Sequence, residues 1–248
     1  MTRRFLLAAL LGVVPALAAD LPTVDQIIDH YVEATGGKAA YEKIHSEHVT
    51  GTLDFAAMGI KGKIERWAAE PSQYYATLDI AGIGKTEMGY TDGVAWEKSA
   101  VLGVRVKSGD ELAQAMREAT MHATMNWKRL YEKGETVGVE SIDGEDCYKV
   151  LLTPREGKPE TMYFQKKSGL AVKSTTVAAS QMGDVPVEVI VSNYKDFGGI
   201  KVPAKTVQKA AGQEFSITIE NVEYDAKAPA SAFALPADVK ALADKAKK

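Results

Sequence analysis

The stretch VPVEVIVSNYKDFGGIKVPAKTVQKAAGQEFSITIENVEY, residues 185–224, contains three successive β-strand patterns with glycine turns between them. Apolar and polar residues alternate within each pattern, so each strand has one apolar face. A strand with one polar face is typical of antiparallel sheets, since strands of parallel sheets are usually apolar on both faces. The expected strands are 185–194, 201–209 and 215–224, with turns at Gly198-Gly199 and Gly212.

The same alternation continues on the N-terminal side of this stretch. Further strands are expected at 136–140, 147–153, 160–166 and 171–178, and at 49–55, 60–64, 74–80 and twice within 85–98. Asp92-Gly93 is a strong signal for a tight turn between the last two. About 11–12 strands are too many for a flat open sheet, so the sheet should curl. The sequence therefore predicts a mainly β (α+β) fold.

Two segments follow a helical period instead. Thr23 and Gln26 form a capping box before an apolar helix face, and Gly36-Gly37 ends that helix. In the middle of the chain, apolar residues recur at three- and four-residue spacing over 110–131. That segment is rich in methionine, and we expect it to lie across the mouth of the curved sheet as a lid or plug.

The N-terminus has the three parts of a secretory signal peptide in order. Arg3 and Arg4 precede an apolar run over 5–14, and Ala16-Leu17-Ala18 supplies the small residues of a cleavage site. The run is shorter than the roughly 20 residues that a membrane-spanning helix needs. We therefore expect residues 1–18 to be a signal peptide, residues 19–248 to be a single domain that does not span a membrane, and the destination to be the periplasm.

Charge and cysteine content exclude several classes of protein. The whole chain has a net charge of −3, and loss of Arg3 and Arg4 leaves 28 basic against 33 acidic residues, a net charge of −5. This balance argues against nucleic acid as a partner. Cys147 is the single cysteine, so an intramolecular disulfide is excluded.

The residues that usually carry catalysis are in unfavourable contexts. His45 and His48 are three apart in a predicted strand, where such residues point to opposite faces. Two acidic residues precede Cys147, which disfavours a reactive thiolate. The sequence therefore predicts no catalytic residue, no metal site and no cofactor.

The positive signal is a set of large apolar side chains from neighbouring strands and from the mid-chain helix. Such residues can line a cavity for an apolar ligand, or they can fill the interior of the barrel themselves. The candidate lipid-binding residues of the cavity and lid are Leu53, Phe55, Ile64, Leu78, Ile80, Met88, Tyr90, Trp96, Met116, Met121, Met125 and Trp127.

Several short motifs resemble bacterial outer-membrane lipoprotein-sorting, or LolA-like, proteins. They are YVEATGG at 31–37, GYTDGVAW at 89–96, DGEDCYKV at 143–150, TMYF at 161–164 and FALP at 233–236. The resemblance implies a half-open antiparallel β-barrel whose apolar concave side is plugged or covered by helices. It also implies an arginine that fastens the lid, for which Arg66, Arg105 and Arg117 are candidates by location.

These observations lead to three hypotheses of different classes. The first is a soluble periplasmic carrier or chaperone that binds lipid or an acylated lipoprotein and exchanges it with donor or acceptor proteins of the inner or outer membrane. The second is an envelope sensor or scaffold that binds a protein partner through the same concave surface. The third, an enzyme acting on envelope material, has no motif in its favour.

Overall fold

The computed structural model describes residues 21–180 and 183–246, and the predicted signal peptide lies outside this range. The described chain forms one antiparallel sheet of thirteen strands. The strands are β1 (Ser46–Phe55), β2 (Ile60–Ala69), β3 (Gln73–Ile80), β4 (Gly84–Thr91), β5 (Val94–Ser99), β6 (Gly103–Val106), β7 (Tyr131–Ile142), β8 (Glu145–Pro154), β9 (Glu160–Gln165), β10 (Ala171–Ala178), β11 (Val185–Phe197), β12 (Ile200–Ala210) and β13 (Gln213–Tyr224).

The sheet consists of two meanders that meet side by side. Strands β1 to β6 pair in chain order, strands β7 to β13 do the same, and β1 pairs with β13. The sheet begins at β6 and ends at β7, so it is open within the described residues. The predicted mainly β, half-open architecture is confirmed. One strand, β6, is additional, since its four residues are too short to show an alternating pattern.

Helix α1 (Val24–Thr35) forms as its sequence predicts. The Thr23 side chain accepts a hydrogen bond from the Gln26 backbone, and the Gln26 side chain accepts one from the Thr23 backbone. Gly36 follows the helix with a φ of 146°, a conformation that favours glycine. The apolar side of α1 packs on β8 and β9 in a cluster that includes Ile28, Val150 and Phe164.

The predicted helix over 110–131 is two helices, α3 (Gly109–Ala119) and α4 (Trp127–Leu130), following a short helix α2 (Lys38–Tyr41). The break begins at Thr120, which has extended backbone angles and donates its hydroxyl to the Met116 carbonyl at 2.9 Å. His122 then has a φ of 52°. The break lets Met121 turn into a core cluster with Ile44 and Ile200, where it is buried.

The two faces of the sheet are occupied differently. Residues that lie opposite each other on neighbouring strands point to the same face of the sheet. One face is therefore defined by five residues that lie opposite each other in turn across β2 to β6, namely Arg66, Ala76, Met88, Glu97 and Arg105. Arg105 bonds to α3, so we call this the inner face. The outer face carries a C-terminal helix, α5 (Ala237–Ala246), packed on Val94 and Trp96.

Trp96 fixes α5 to the outer face, and its removal is expected to destabilise the fold. The side chain is 3% exposed and contacts the cluster of Val239 and Ala243. Trp96→Ala should lower the free energy of unfolding by about 3–5 kcal/mol because it leaves a large cavity. Urea denaturation measures this loss. The exposed Val137→Ala is the control, and equal stability of the two variants would contradict the assigned packing.

Candidate ligand-binding cavity

A cavity of about 330 Å³ lies between α3 and the inner face of strands β7 to β12. Six adjacent strands laid flat would be roughly 24 Å wide, at a spacing of about 4.8 Å. A cavity of this volume can be lined by all six because the sheet curls around it. Each strand contributes: Tyr131 from β7, Leu152 from β8, Glu160 and Met162 from β9, Ser174 and Thr176 from β10, Val187 and Val189 from β11, and Gln208 from β12.

The apolar part of the cavity wall is formed by Trp127 and Leu130 of α4 with strand residues such as Leu152 and Val189. Trp127 is held from two sides. Its indole Nε1 donates to the Asp25 carboxylate on α1 at 3.2 Å, and Gly134 on β7 leaves space for the ring. A Cβ on Gly134 would lie 2.7 Å from the Trp127 ring, so a larger residue there would displace the wall.

The polar part of the wall centres on Glu160. The Tyr131 hydroxyl donates to the Glu160 Oε2 at 2.7 Å. Burial raises the pKa of the Glu160 carboxyl, while the hydrogen bond from Tyr131 and the charge of Arg117 act in the opposite direction. Burial likewise raises the pKa of Tyr131. The cavity therefore combines aliphatic and indole surface with a half-buried carboxyl whose pKa is raised.

A second apolar surface lies on the inner face of β1 to β4. Ile64 is opposite Leu78, Ala76 is opposite Met88, and Tyr74 is opposite Tyr90. Leu53 is buried, whereas the larger group of inward-facing side chains is only half-buried. That half-buried group is Phe55, Ile60, Ile64, Leu78, Ile80, Met88 and Tyr90.

Eight of the twelve candidate residues thus lie on this surface or in the cavity wall, namely Leu53, Phe55, Ile64, Leu78, Ile80, Met88, Tyr90 and Trp127. The expected inward position of Trp96 is wrong, since it lies on the outer face beneath α5. Met121 and Met125 pack in core clusters, and Met116 is 39% exposed on α3, so the methionines do not form a continuous lid surface.

The C-terminal wall of the cavity was not predicted. Its residues on β10 to β12 include Thr176, Val187 and Gln208. These strands alternate apolar and polar residues in the way that solvated strands do, so the sequence held no distinguishing signal beyond their threonine and valine content.

Arginines attach both ends of α3 to the sheet. Arg105 on β6 donates from Nη1 to both Glu111 oxygens at 2.9 Å and from Nη2 to Glu97 on β5 at 2.9 Å. Arg117, near the other end of α3, donates to the Glu156 carbonyl at 2.7 Å in the β8–β9 turn. Arg66 instead pairs with Glu47 within the sheet. Arg105 and Arg117 therefore fasten the helix that covers the cavity.

The histidines and the cysteine have structural contacts. His48 stacks on Trp67 with ring centroids 3.8 Å apart and bonds to Glu65, while His45 bonds to Glu70. Cys147 is fully buried, and burial raises the pKa of its thiol. Among the described residues, histidine, cysteine and carboxylate side chains form no group of three that could hold a metal ion.

Comparison with known proteins identifies the fold. No protein-family model matches the chain, and no curated protein matches its sequence. A DUF1329 family protein from Desulfovibrio piger is 15% identical with a TM-score of 0.57, covering 85% of this chain and 97% of that chain. A LolA superfamily protein from Nitrosomonas europaea is 12% identical with a TM-score of 0.59, covering 87% and 99%.

An outer membrane lipoprotein-sorting protein domain from Vibrio parahaemolyticus is 10% identical, with a TM-score of 0.56, covering 84% of this chain and 95% of that chain. These similarities extend over nearly the whole lengths of the compared chains. The chain therefore has the LolA-like fold that its motifs predicted. None of the helices formed by the described residues is long and apolar enough to cross a membrane.

The half-buried Glu160 should make stability depend on pH. Because its pKa is raised in the folded state, folding favours the protonated form, and stability should decrease as pH rises from the ordinary glutamate range through the raised pKa. Glu160→Gln keeps an acceptor for Tyr131 and removes the ionisation. It should be more stable than wild type at neutral pH, with the difference shrinking under acid conditions.

Urea unfolding between about pH 4 and about pH 8 measures this difference, since the interval brackets the ordinary glutamate range and neutrality. Glu145→Gln, whose carboxylate pairs with Lys167 across the β8–β9 strand ends, is the matched control. A constant difference between Glu160→Gln and wild type at all pH values would contradict the assigned environment.

Loss of the Arg105 contacts should loosen α3 from the sheet. The three charged side chains are each about one-fifth exposed, so Arg105→Ala leaves two partly buried carboxylates without their partner. Amide hydrogen exchange over 109–119 should accelerate at least tenfold. Lys98→Ala, which removes an exposed pair with Asp238, is the control and should leave α3 unchanged. Unchanged exchange in Arg105→Ala would show that other contacts fasten the helix.

Proposed function

We propose that the protein is a carrier that binds the acyl chain of a lipid or lipoprotein on the inner face of its half-open barrel. The observation that carries this proposal is the incomplete filling of that face. The cavity of about 330 Å³ lies on the same inner face as the aliphatic residues of β1 to β4 that remain half-buried. A core whose purpose is stability alone is close-packed, with few voids larger than a water molecule.

The size and chemistry of the cavity suit an amphiphile. Ligand cavities are about 300–1,000 Å³ and are mostly apolar with a few polar groups, and this cavity lies at the lower end of that range. An acyl chain gains about 0.8 kcal/mol for each buried methylene, so a long chain offers on the order of 10 kcal/mol before the costs of binding. That amount supports binding that is strong and still reversible.

The polar residues of the cavity indicate where a headgroup would lie. The Glu160 carboxyl, the Tyr131 hydroxyl and the hydroxyls of Ser174 and Thr176 all belong to the cavity wall, and Glu160 accepts the hydrogen bond of Tyr131. Hydroxyl groups both donate and accept hydrogen bonds, and the oxygens of the carboxyl accept them. This arrangement favours ester, amide or hydroxyl groups at the junction between acyl chain and headgroup.

Release of a bound chain requires that the cavity can open. Helix α3 covers it and is attached by polar contacts of Arg105 and Arg117, while its fully buried side chains are only the small Ala113 and Ala119. Such contacts can exchange with water, so the helix can move without unfolding the sheet. We infer that α3 is the element that moves when cargo enters or leaves.

The signal peptide expected at residues 1–18 supports a periplasmic location for this activity. Carriage between membranes also implies proteins of the inner or outer membrane that deliver or accept the cargo. Both inferences rest on the sequence, and both are consistent with the fold of the Vibrio parahaemolyticus lipoprotein-sorting domain.

Charges placed on the inner face should abolish uptake. In Leu78→Asp or Val189→Asp a carboxylate faces the bound hydrocarbon, and the affinity of delipidated protein for a fluorescent fatty acid should fall at least tenfold. Leu242→Asp places the same charge on α5, on the outer side of the sheet, and should bind normally. Fluorescence titration gives the affinities, and circular dichroism confirms that each variant is folded.

Two results would contradict the proposal. One is that delipidated wild-type protein binds neither fatty acid, phospholipid nor lipopeptide. The other is that both inner-face variants bind as tightly as wild type, since the ligand would then lie elsewhere.

A further inference from the structure

Four neighbouring hairpins turn at the same end of the half-barrel. In sheet order they join β5 to β6, β3 to β4, β1 to β2 and β12 to β13. Neighbouring turns are roughly 10 Å apart, since each hairpin is two strands wide. Their turn residues are 100–102, 81–83, 56–59 and 211–212.

These four turns contain no charged residue, although a quarter of the chain is charged. The sequences are Ala-Val-Leu, Ala-Gly-Ile, Ala-Ala-Met-Gly and Ala-Gly. Their large side chains point into solvent: Val101 and Leu102 are each 70% exposed, Met58 is 51% exposed and Ile83 is 48% exposed. We call these four turns the apolar rim. Single exposed aliphatic residues are ordinary on proteins, but a row of them on adjacent turns marks an interaction surface.

The opposite end of the same strands has the usual polar turns. Glu70 lies in the turn between β2 and β3, Asp92 in the turn between β4 and β5, and Asp225 follows β13. The β8–β9 turn, at the same end as the four apolar turns, carries Arg155, Glu156 and Lys158. The apolar composition is therefore a property of the four neighbouring turns and not of turns in general.

Several backbone N–H groups of the apolar rim have hydrogen-bond partners within the protein. The Ile83 N–H donates to the Ile80 carbonyl at 3.1 Å, and the Gly59 N–H donates to the Ala56 carbonyl at 3.2 Å. The Ser99 hydroxyl accepts from the N–H groups of Val101 and Leu102 at 3.2 and 3.4 Å. These internal hydrogen bonds lower the cost of moving the turns into an apolar phase, because the bonded N–H groups keep their partners there.

We propose that the apolar rim docks on the surface of a lipid bilayer, with Val101, Leu102, Met58 and Ile83 inserted among the acyl chains. A protein partner is a poorer match, since the rim lacks the tyrosine, tryptophan and arginine side chains that anchor protein interfaces. Leucine, valine, isoleucine and methionine are the residues that hydrocarbon accepts.

The charges beside the rim select the kind of bilayer. Asp54 and Lys61 flank the β1–β2 turn and pair with each other, and Asp79 and Lys85 flank the β3–β4 turn in register. These pairs cancel locally, so the rim has no basic excess to attract anionic headgroups. The complementary surface is therefore a zwitterionic bilayer, bound through apolar contact.

The rim is continuous with the inner face. Phe55 and Ile60 directly flank the β1–β2 turn and are paired, and Ile80 precedes the β3–β4 turn, all three with inward-facing side chains. The cavity lies towards the same end, since Gly157 of the β8–β9 turn and Ala179 after β10 line it. If the protein is a carrier as proposed, this continuity makes the rim the place where an acyl chain passes between bilayer and cavity.

The test places a probe on the rim of the full chain. Leu102→Cys is labelled with an environment-sensitive fluorophore under native conditions, in which the buried Cys147 is protected. Phosphatidylcholine vesicles should shift the emission to shorter wavelength and raise its intensity several-fold. The matched control is Val139→Cys, an exposed apolar site on β7, which should not respond.

A second measurement uses vesicle co-sedimentation. The double variant Leu102→Asp/Ile83→Asp should bind phosphatidylcholine vesicles at least tenfold more weakly than wild type, and the control Val137→Asp/Val139→Asp should bind normally. Absence of wild-type co-sedimentation, or binding restricted to anionic vesicles and lost in salt, would overturn the proposal. So would a dimer of this chain that the rim variant abolishes, since a second copy would then be the partner.

The bilayer proposal and the carrier proposal can be contradicted independently of each other. Fatty acid added from detergent-free solution reaches the cavity without a bilayer, so the rim variant should retain wild-type affinity in that titration. If vesicles do not bind but fatty acid does, the bilayer proposal is wrong while the carrier function stands. If the protein binds vesicles but not fatty acid, the bilayer proposal stands and the carrier function is wrong.

Discussion

The pairing of β1 with β13 is the contact on which the rest of the structure depends. It joins residues about 170 positions apart and turns two separate meanders into one sheet. Leu53 lies opposite Ile217, which places the apolar sides of both meanders on the same inner face. A shift of one residue would direct every inward side chain of one meander outwards. The register of β1 against β13 shifts between Thr50 and Gly51. Only glycine fits at position 51, because a Cβ there would lie 2.3 Å from the Thr218 carbonyl oxygen.

The joined sheet is too wide to remain flat and, in the described chain, its two edges do not pair with each other. Its inner face must therefore be covered by something other than strands. Helix α1 fills the region of β8 and β9, and Met121 fills the region around Ile44 and Ile200. Helix α3 covers the remainder through polar contacts at its two ends, and the cavity remains beneath it. Hollow space thus follows from the geometry of the sheet, and the proposed carrier function uses it.

Prediction from sequence succeeded where one strand or one helix determines the outcome. The capping box of Thr23 and Gln26, the Asp92-Gly93 turn and the alternation of β2 to β4 are local patterns, and the structure contains all of them. Trp96 was misplaced because Val94, Ala95 and Trp96 are all buried, so alternation could not assign a face to β5. The break at Thr120 follows from Met121 contacting residues distant in sequence, which no helical period reveals. The cavity wall on β10 to β12 depends on curvature, and curvature leaves no trace in a pattern of period two.

The central claim is that the inner face encloses an apolar ligand. Native mass spectrometry of protein purified without detergent tests it most directly. The account predicts a population heavier than the chain by the mass of one lipid, lost on organic extraction and restored when that lipid is added back. A single species at the mass of the bare chain, unchanged after incubation with lipids, would contradict it.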